Sequence, residues 1–215
     1  MKKYLLVLPI LIFALLIIGT VPVKSELNSD DFYFLEEKIY SYGNFTQNGV
    51  RLEYHTTNNI NNEILNLKKF FEKQFKEEVI INNNTIFIDI ENGEIKAVVW
   101  SNEGYTKVQI TYVNSDNKIT TTQLKKELEQ IEYFATQNIK YFNFVKVKII
   151  EEREQDILDL LKSNIKEETL EELSIFNGEV GKGRLMDESK INFSFMTYDK
   201  GKYLVLGTPV IFITY

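Results

Sequence analysis

The sequence predicts an α+β domain in which one antiparallel sheet carries helices on a single face. Three observations support this. Runs of alternating apolar and polar residues are separated by single helical stretches, which favours segregated helices over a parallel βαβ sheet. The strands alternate instead of being uniformly apolar, so one sheet face meets helices and the other meets solvent. From Phe142 the order strand, helix, antiparallel strands starts again. The expectation is a duplicated unit, with pseudo-repeat halves of roughly 45–138 and 142–215, forming one long curved antiparallel sheet in a domain of residues 26–215.

The elements follow in order. Asp30 to Tyr42 places Phe32, Leu35 and Ile39 on one helical face, with Gly43 as a stop. In Val50 to Thr56 the residues Val50, Leu52 and Tyr54 point one way, while Arg51, Glu53 and His55 point the other. Asn62 to Lys76 repeats Ile64, Leu67, Phe71 and Phe75 at helical spacing. Thr85 to Glu91 and Glu94 to Ser101 flank Asn92-Gly93, a strong signal for a two-residue hairpin turn. That turn pairs Ile90 with Ile95, Ile88 with Ala97 and Ile86 with Val99. On the other face it sets Asp89 against Lys96 and Phe87 against Val98. A strand from Thr106 to Val113 follows, with Lys107 and Gln109 on its polar side. Thr120 and Gln123 then form a capping box for a helix running to about Asn138, with an apolar row of Leu124, Leu128, Ile131 and Ala135.

In the second half, Phe142 to Glu151 reads as a strand and Glu154 to Lys166 as a helix using Ile157, Leu161 and Ile165. Four strand-like stretches complete the chain: Leu173 to Asn177, Glu179 to Met186, Lys190 to Tyr198 and Tyr203 to Tyr215. Ile88, Ile90, Val99, Val108, Ile110, Phe193 or its neighbours, and Leu204 are the expected core. Ile191, Phe193 and Phe195 share one face of their strand, and Met196 and Tyr198 the other.

The N-terminus reads as an export segment. Lys2 and Lys3 precede an apolar run from Tyr4 to Ile18, and Val23 and Ser25 supply small residues for cleavage before Glu26. Residues 1–25 are therefore expected to act as a signal peptide. The stretch from Tyr4 to Val23 is also long enough for an uncleaved anchor, with the lysines inside and the domain on the outer face of the membrane. Cleavage removes three lysines and no acid from a chain whose net charge is already −6. A chain this acidic, with no basic tract, argues against nucleic acid as a partner.

Composition excludes several chemistries. No cysteine is present, which removes disulfides, thiolate metal sites and cysteine nucleophiles, and a single histidine excludes a multi-histidine metal site. No Gly-x-Ser-x-Gly elbow occurs. The run Gly178-Glu-Val-Gly181-Lys-Gly183 lacks the Lys-Ser/Thr ending of a phosphate loop and opens a strand. Acid pairs such as Glu77-Glu78, Glu151-Glu152 and Glu171-Glu172 sit at helix ends or on polar faces. No cofactor, metal or catalytic residue is assigned. The expected role is a non-enzymatic binding or accessory domain of the cell envelope, its partner an envelope protein or wall polymer. A carboxylate-dependent envelope hydrolase is the alternative. The candidate interaction surface is the polar sheet face: Arg51, Glu53, His55, Phe87, Asp89, Lys96, Trp100 and Lys107, with Val98 and Gln109 between them. An exposed apolar strip bordered by charge has the character of an interaction surface.

The ending Lys202-Tyr203-Leu-Val-Leu-Gly207-Thr208-Pro209-Val210-Ile-Phe-Ile-Thr-Tyr215, following the order of elements above, resembles the closing strand of the YwmB family. These are exported proteins of Gram-positive bacteria. The resemblance implies a fold similar to the TATA-box-binding protein, a duplicated saddle. It carries over no catalytic residue.

Overall fold

The computed structural model describes residues 30–133 and 136–213. The expected export segment and Ala135 lie outside the described residues. The chain forms α1 (Asp30–Tyr42), β1 (Gly43–Thr56), α2 (Ile60–Phe75), β2 (Ile80–Asn82), β3 (Thr85–Ile90), β4 (Gly93–Asn102), β5 (Tyr105–Asn114) and α3 (Thr121–Glu129). It continues with β6 (Thr136–Ile149), α4 (Glu154–Asn164), β7 (Glu171–Ile175), β8 (Gly178–Arg184), β9 (Lys190–Tyr198) and β10 (Gly201–Thr208). All ten strands join one antiparallel sheet in the order β2-β3-β4-β5-β1-β6-β10-β9-β8-β7.

The duplication is written in this order. β1 and β6 meet at the midline, and each is flanked by the last strand of its own four-strand meander. The pairs Asn48↔Val145 and Val50↔Asn143 are interchanged by a two-fold placed between the two strands. Each half is one unit of helix, strand, helix and meander, so the leading helix belongs to the repeat. That helix packs on the opposite half. Phe32, Leu35 and Ile39 of α1 join Val145, Val147, Ile157, Leu161 and Leu204 in the second-half core. Leu124 and Leu128 of α3 join Val50, Leu52, Leu67, Phe71 and Ile110 in the first-half core. Cross-strand register puts both clusters on the same sheet face, because Leu52↔Ile110, Ile110↔Ala97 and Val147↔Leu204 continue one inward row set. All four helices therefore cover one face.

Local chemistry sets the helix ends. Asn59 accepts a hydrogen bond from the Asn62 amide at 2.9 Å and caps α2, which ends at Lys76 in a left-handed conformation. The Gln123 side chain accepts from the Thr120 amide at 2.8 Å, as the capping box requires. Where α1 and α3 meet over the midline, the buried Glu36 carboxylate accepts from the Thr121 amide at 3.0 Å and from its hydroxyl at 2.5 Å. Tyr40 donates to it at 2.7 Å and Asn48 at 3.1 Å. Asn114 donates to Asn48 Oδ1 at 2.9 Å. A charge buried at a helix start is thus fully ligated by donors.

Four expectations need correction. The loop of the central hairpin is Glu91-Asn92, and the register sets Ile88 against Ile95, Ile86 against Ala97 and Phe87 against Lys96, with Asp89 opposite Glu94. The slip is two residues, so the inward face is unchanged. Gly93 does not supply a left-handed turn; the described glycines with positive φ are Gly104 and Gly201. A Cβ on Gly93 would lie 2.1 Å from the Val113 carbonyl oxygen, so contact with β5 demands the glycine. Second, the helix from Thr121 ends at Glu129 and continues as a short 3₁₀ turn to Tyr133, because β6 starts at Thr136 to pair the full length of β1. Third, the last strand stops at Thr208, before Pro209, which has no N–H to give the ladder. Finally, Ile90 is only partly buried, whereas the other expected core residues are buried.

Candidate functional site

The sheet face turned away from the helices collects the polar positions of β1, β3, β4 and β5. Register aligns them in cross-strand rows. The first row runs Phe142, Arg51, Thr111, Lys96, Phe87 and Ile80. A second runs Lys140, Glu53, Gln109, Val98 and Thr85, and a third Gln137, His55, Lys107 and Trp100. Seven of the eight candidate residues fall in these three rows. Asp89 lies one row away, opposite Glu94, and is not beside Lys96.

The side chains interlock in cation and ring pairs. Lys107 Nζ lies 5.4 Å from the centre of the Trp100 ring and 3.6 Å from Glu53 Oε2. Lys96 Nζ lies 5.5 Å from the Phe87 ring, a contact that replaces the expected ion pair with Asp89. His55 stacks on Tyr105 at 4.1 Å, and its Nδ1 lies 3.1 Å from Asn138 Nδ2. Loss of solvent, then the Lys107 and Lys140 cations, hold the His55 imidazole below its ordinary value.

The middle of this face is not open. After Pro209 the chain turns back over it. The Arg51 guanidinium donates to the Phe212 carbonyl at 2.9 Å and sits 4.4 Å from its ring. Phe212 packs edge-on against Phe142 at 6.4 Å and Phe144 at 5.1 Å. Burial lowers the Arg51 value, since desolvation opposes the charged form. Gly49 makes room for the Phe144 ring, whose edge would lie 2.5 Å from a Cβ there. Neither α1 nor a second chain is needed to cover this part; the C-terminal segment does so. Sequence reading missed Phe142, Phe144, Lys146 and Phe212 as members of the face. Proline after Thr208, with an apolar run beyond it, was the available signal.

Further along the same face, an open depression of about 630 Å³ is lined by Leu173, Val180, Asn192, Val210 and Ile211 among others. The glycine-rich run around Gly181 lies inside β8 and is followed in the chain by β9, not by a helix, consistent with a strand role. The acid pairs are solvated: Glu171 bridges Lys182 at 2.9 Å and Glu172 reaches Lys162 at 4.0 Å. Among the described residues the two buried carboxyl groups are both committed on the helix side, Glu36 as above and Glu63 accepting from the Tyr54 hydroxyl at 2.5 Å and from Asn58 at 2.8 Å. No group of three or more His, Asp or Glu side chains positioned to hold a metal ion occurs among the described residues. No described helix is long and apolar enough to cross a membrane.

No family model and no curated protein matches the chain. Among solved structures it is similar to DynU16, from the dynemicin biosynthetic locus, with 8% identity over 75% of this chain and 86% of that one, at a TM-score of 0.23. It is also similar to a hydrolase from Listeria innocua, with 10% identity over 84% of this chain and 98% of that one, at a TM-score of 0.19.

Proposed function

We propose that this chain is an exported, non-enzymatic binding or accessory domain of the cell envelope that uses the helix-free sheet face as its contact surface. The observation that carries the reading is a face with ring and cation pairs in successive rows, left uncovered by all four helices. The basic start and apolar run of the N-terminus support export. We further propose that the ten-stranded sheet curves as a saddle, as the YwmB resemblance implies, with the helices on the convex side. The concave side then presents Trp100, Phe87, Lys96 and Lys107 to a partner.

Capture from envelope fractions by the full chain tests the reading, with Trp100→Ala as the discriminating variant. The expected result is a retained fold, melting close to wild type, and loss of the captured partner. A variant that melts much earlier would assign Trp100 to packing. One that is stable and still captures would remove this face from the proposal.

A further inference from the structure

Resting on that binding-domain reading, we infer that the partner is an anionic glycan polymer, one carrying phosphate, sulfate or carboxylate groups on a chain of sugar units. The argument begins with where the charges lie. The chain as a whole is acidic, with 31 acids against 25 lysines and arginines. The helix-free face inverts this. On β4, β5, β1 and β6 the outward positions carry Lys96, Lys107, Arg51, Lys140, Lys146 and Lys148 against only Glu94 and Glu53. On the helix side, residues 151–164 hold five acids and two cations. A chain lying on the helix-free face meets its cations directly, while the acids of residues 151–164 lie on the helix side of the sheet.

The pseudo-two-fold extends the pattern across the midline. It relates the pair Arg51↔Phe142 to the pair Gln47↔Lys146, making Arg51 and Lys146 counterparts. Each has a ring beside it: Phe212 at 4.4 Å for Arg51 and Tyr203 at 5.4 Å for Lys146. With Lys96 on Phe87 and Lys107 on Trp100, four ring and cation pairs occupy one face.

Spacing selects a polymer over a small anion. Lys96 and Lys107 sit on neighbouring strands four residues of register apart, about 14 Å, and Lys140 and Lys146 are six residues apart along β6, roughly 20 Å. Backbone positions spread this far along the face suit the successive charges of an extended chain better than a single phosphate. Rings between the cations offer platforms for sugar faces. They alternate with charge too closely to form the continuous apolar band that entry into a bilayer needs. Nucleic acid would meet the same cations, and the oligothymidylate comparator below separates the two kinds of polyanion.

Trp100 is the single tryptophan of the chain and lies on this face, so its fluorescence reports occupancy there. The test is titration of the full 215-residue chain with dextran sulfate and with polygalacturonate, checked by co-elution of protein and polymer. Neutral dextran, a single-stranded oligothymidylate and phosphatidylglycerol vesicles serve as comparators. The expected result is a saturable fluorescence change with both anionic glycans, weakening on the order of tenfold between 50 and 200 mM salt. Lys96→Glu and Lys107→Glu should each weaken binding several-fold with unchanged melting. Lys69→Glu, an exposed helix position with the same change in net charge, should leave it intact. Tighter binding to the oligonucleotide or vesicles, equal binding to neutral dextran, equal weakening by Lys69→Glu, or no co-elution would each overturn the inference. Envelope capture that depends on Trp100 while the anionic glycans fail would sink the glycan assignment and leave the binding-domain reading standing.

Discussion

β3 and β8 hold equivalent places, each the fourth strand out from the midline, and they are filled in opposite ways. β3 turns Ile86 and Ile88 inward, and both are buried. β8 turns Glu179, Gly181 and Gly183 inward and contributes no buried residue. The helix behind β3, α2, is 16 residues long, whereas the one behind β8, α4, has 11. Neighbours fill the space that β8 leaves. The Phe193 ring lies where a Cβ on Gly181 would be, at 2.1 Å, and Ile165 lies 2.5 Å from one on Gly183. One half is built by strand side chains meeting helices, the other by large side chains leaning over bare backbone. A duplicated topology thus does not require a duplicated core, and the second half ends in a thin outer edge.

The contrast can be broken at its strongest point first. Phe71→Ala removes a fully buried ring from the first-half core and should lower unfolding free energy by about 3–5 kcal/mol in chemical denaturation. At the midline, Asn48→Ala removes donors to Glu36 and to the Ile119 carbonyl, the latter at 2.7 Å. A loss of about 1.5–3 kcal/mol is expected, because a bond to a buried carboxylate goes unmade. In the second half, Gly181→Val forces the Phe193 ring aside and should cost about 1–3 kcal/mol through overpacking. If it is neutral, the leaning-ring account of this half fails. Native-state hydrogen exchange should show β8 amides opening roughly tenfold or more faster than those of β3. Equal protection would make the two outer edges equivalent after all.

The smallest effect concerns His55. Its folded-state value is depressed, so between that value and about 6.5 the unfolded chain binds more protons than the folded one. Stability is therefore complete above that window and declines as pH falls through it. The ring lies at the surface against Tyr105, where solvent screens the two cations, so the decline is slight. Imidazole titration by NMR should give a midpoint below 6.5 that rises in Lys107→Met, since that cation is one of the causes of the depression.

Much of this architecture was legible in local pattern. Helix faces such as Phe32-Leu35-Ile39, and the inward sets of β4 and β5, follow from apolar period alone and match the buried residues, whereas alternation in β9 offers two apolar faces and leaves the choice open. The hairpin failed in register but not in face, because a two-residue slip preserves parity. What local pattern lacks is information about partners. The length of β6 is fixed by β1, which is why a helical-looking stretch before Phe142 becomes strand. The candidate residues of β1, β3, β4 and β5 share one sheet face, since alternation decides which way each points. The covered centre of that face was not legible, because the contact between Arg51 and Phe212 joins residues far apart in sequence and no periodicity records it.

The exchange of leading helices between halves has a temporal consequence. α1 is the first described element to leave the ribosome, yet its cluster includes Leu204 and Leu206 near the other end of the chain. At roughly 5–20 residues per second, on the order of ten to thirty seconds separate the two. Throughout that interval Phe32, Leu35 and Ile39 form an apolar stripe without a home, and the second-half core cannot close until the last strand arrives. Contacts this distant in sequence also make for slow folding. A chain held unfolded until synthesis is complete, as one threaded through a membrane must be, meets this demand; one allowed to collapse as it emerges would bury that stripe in the wrong place.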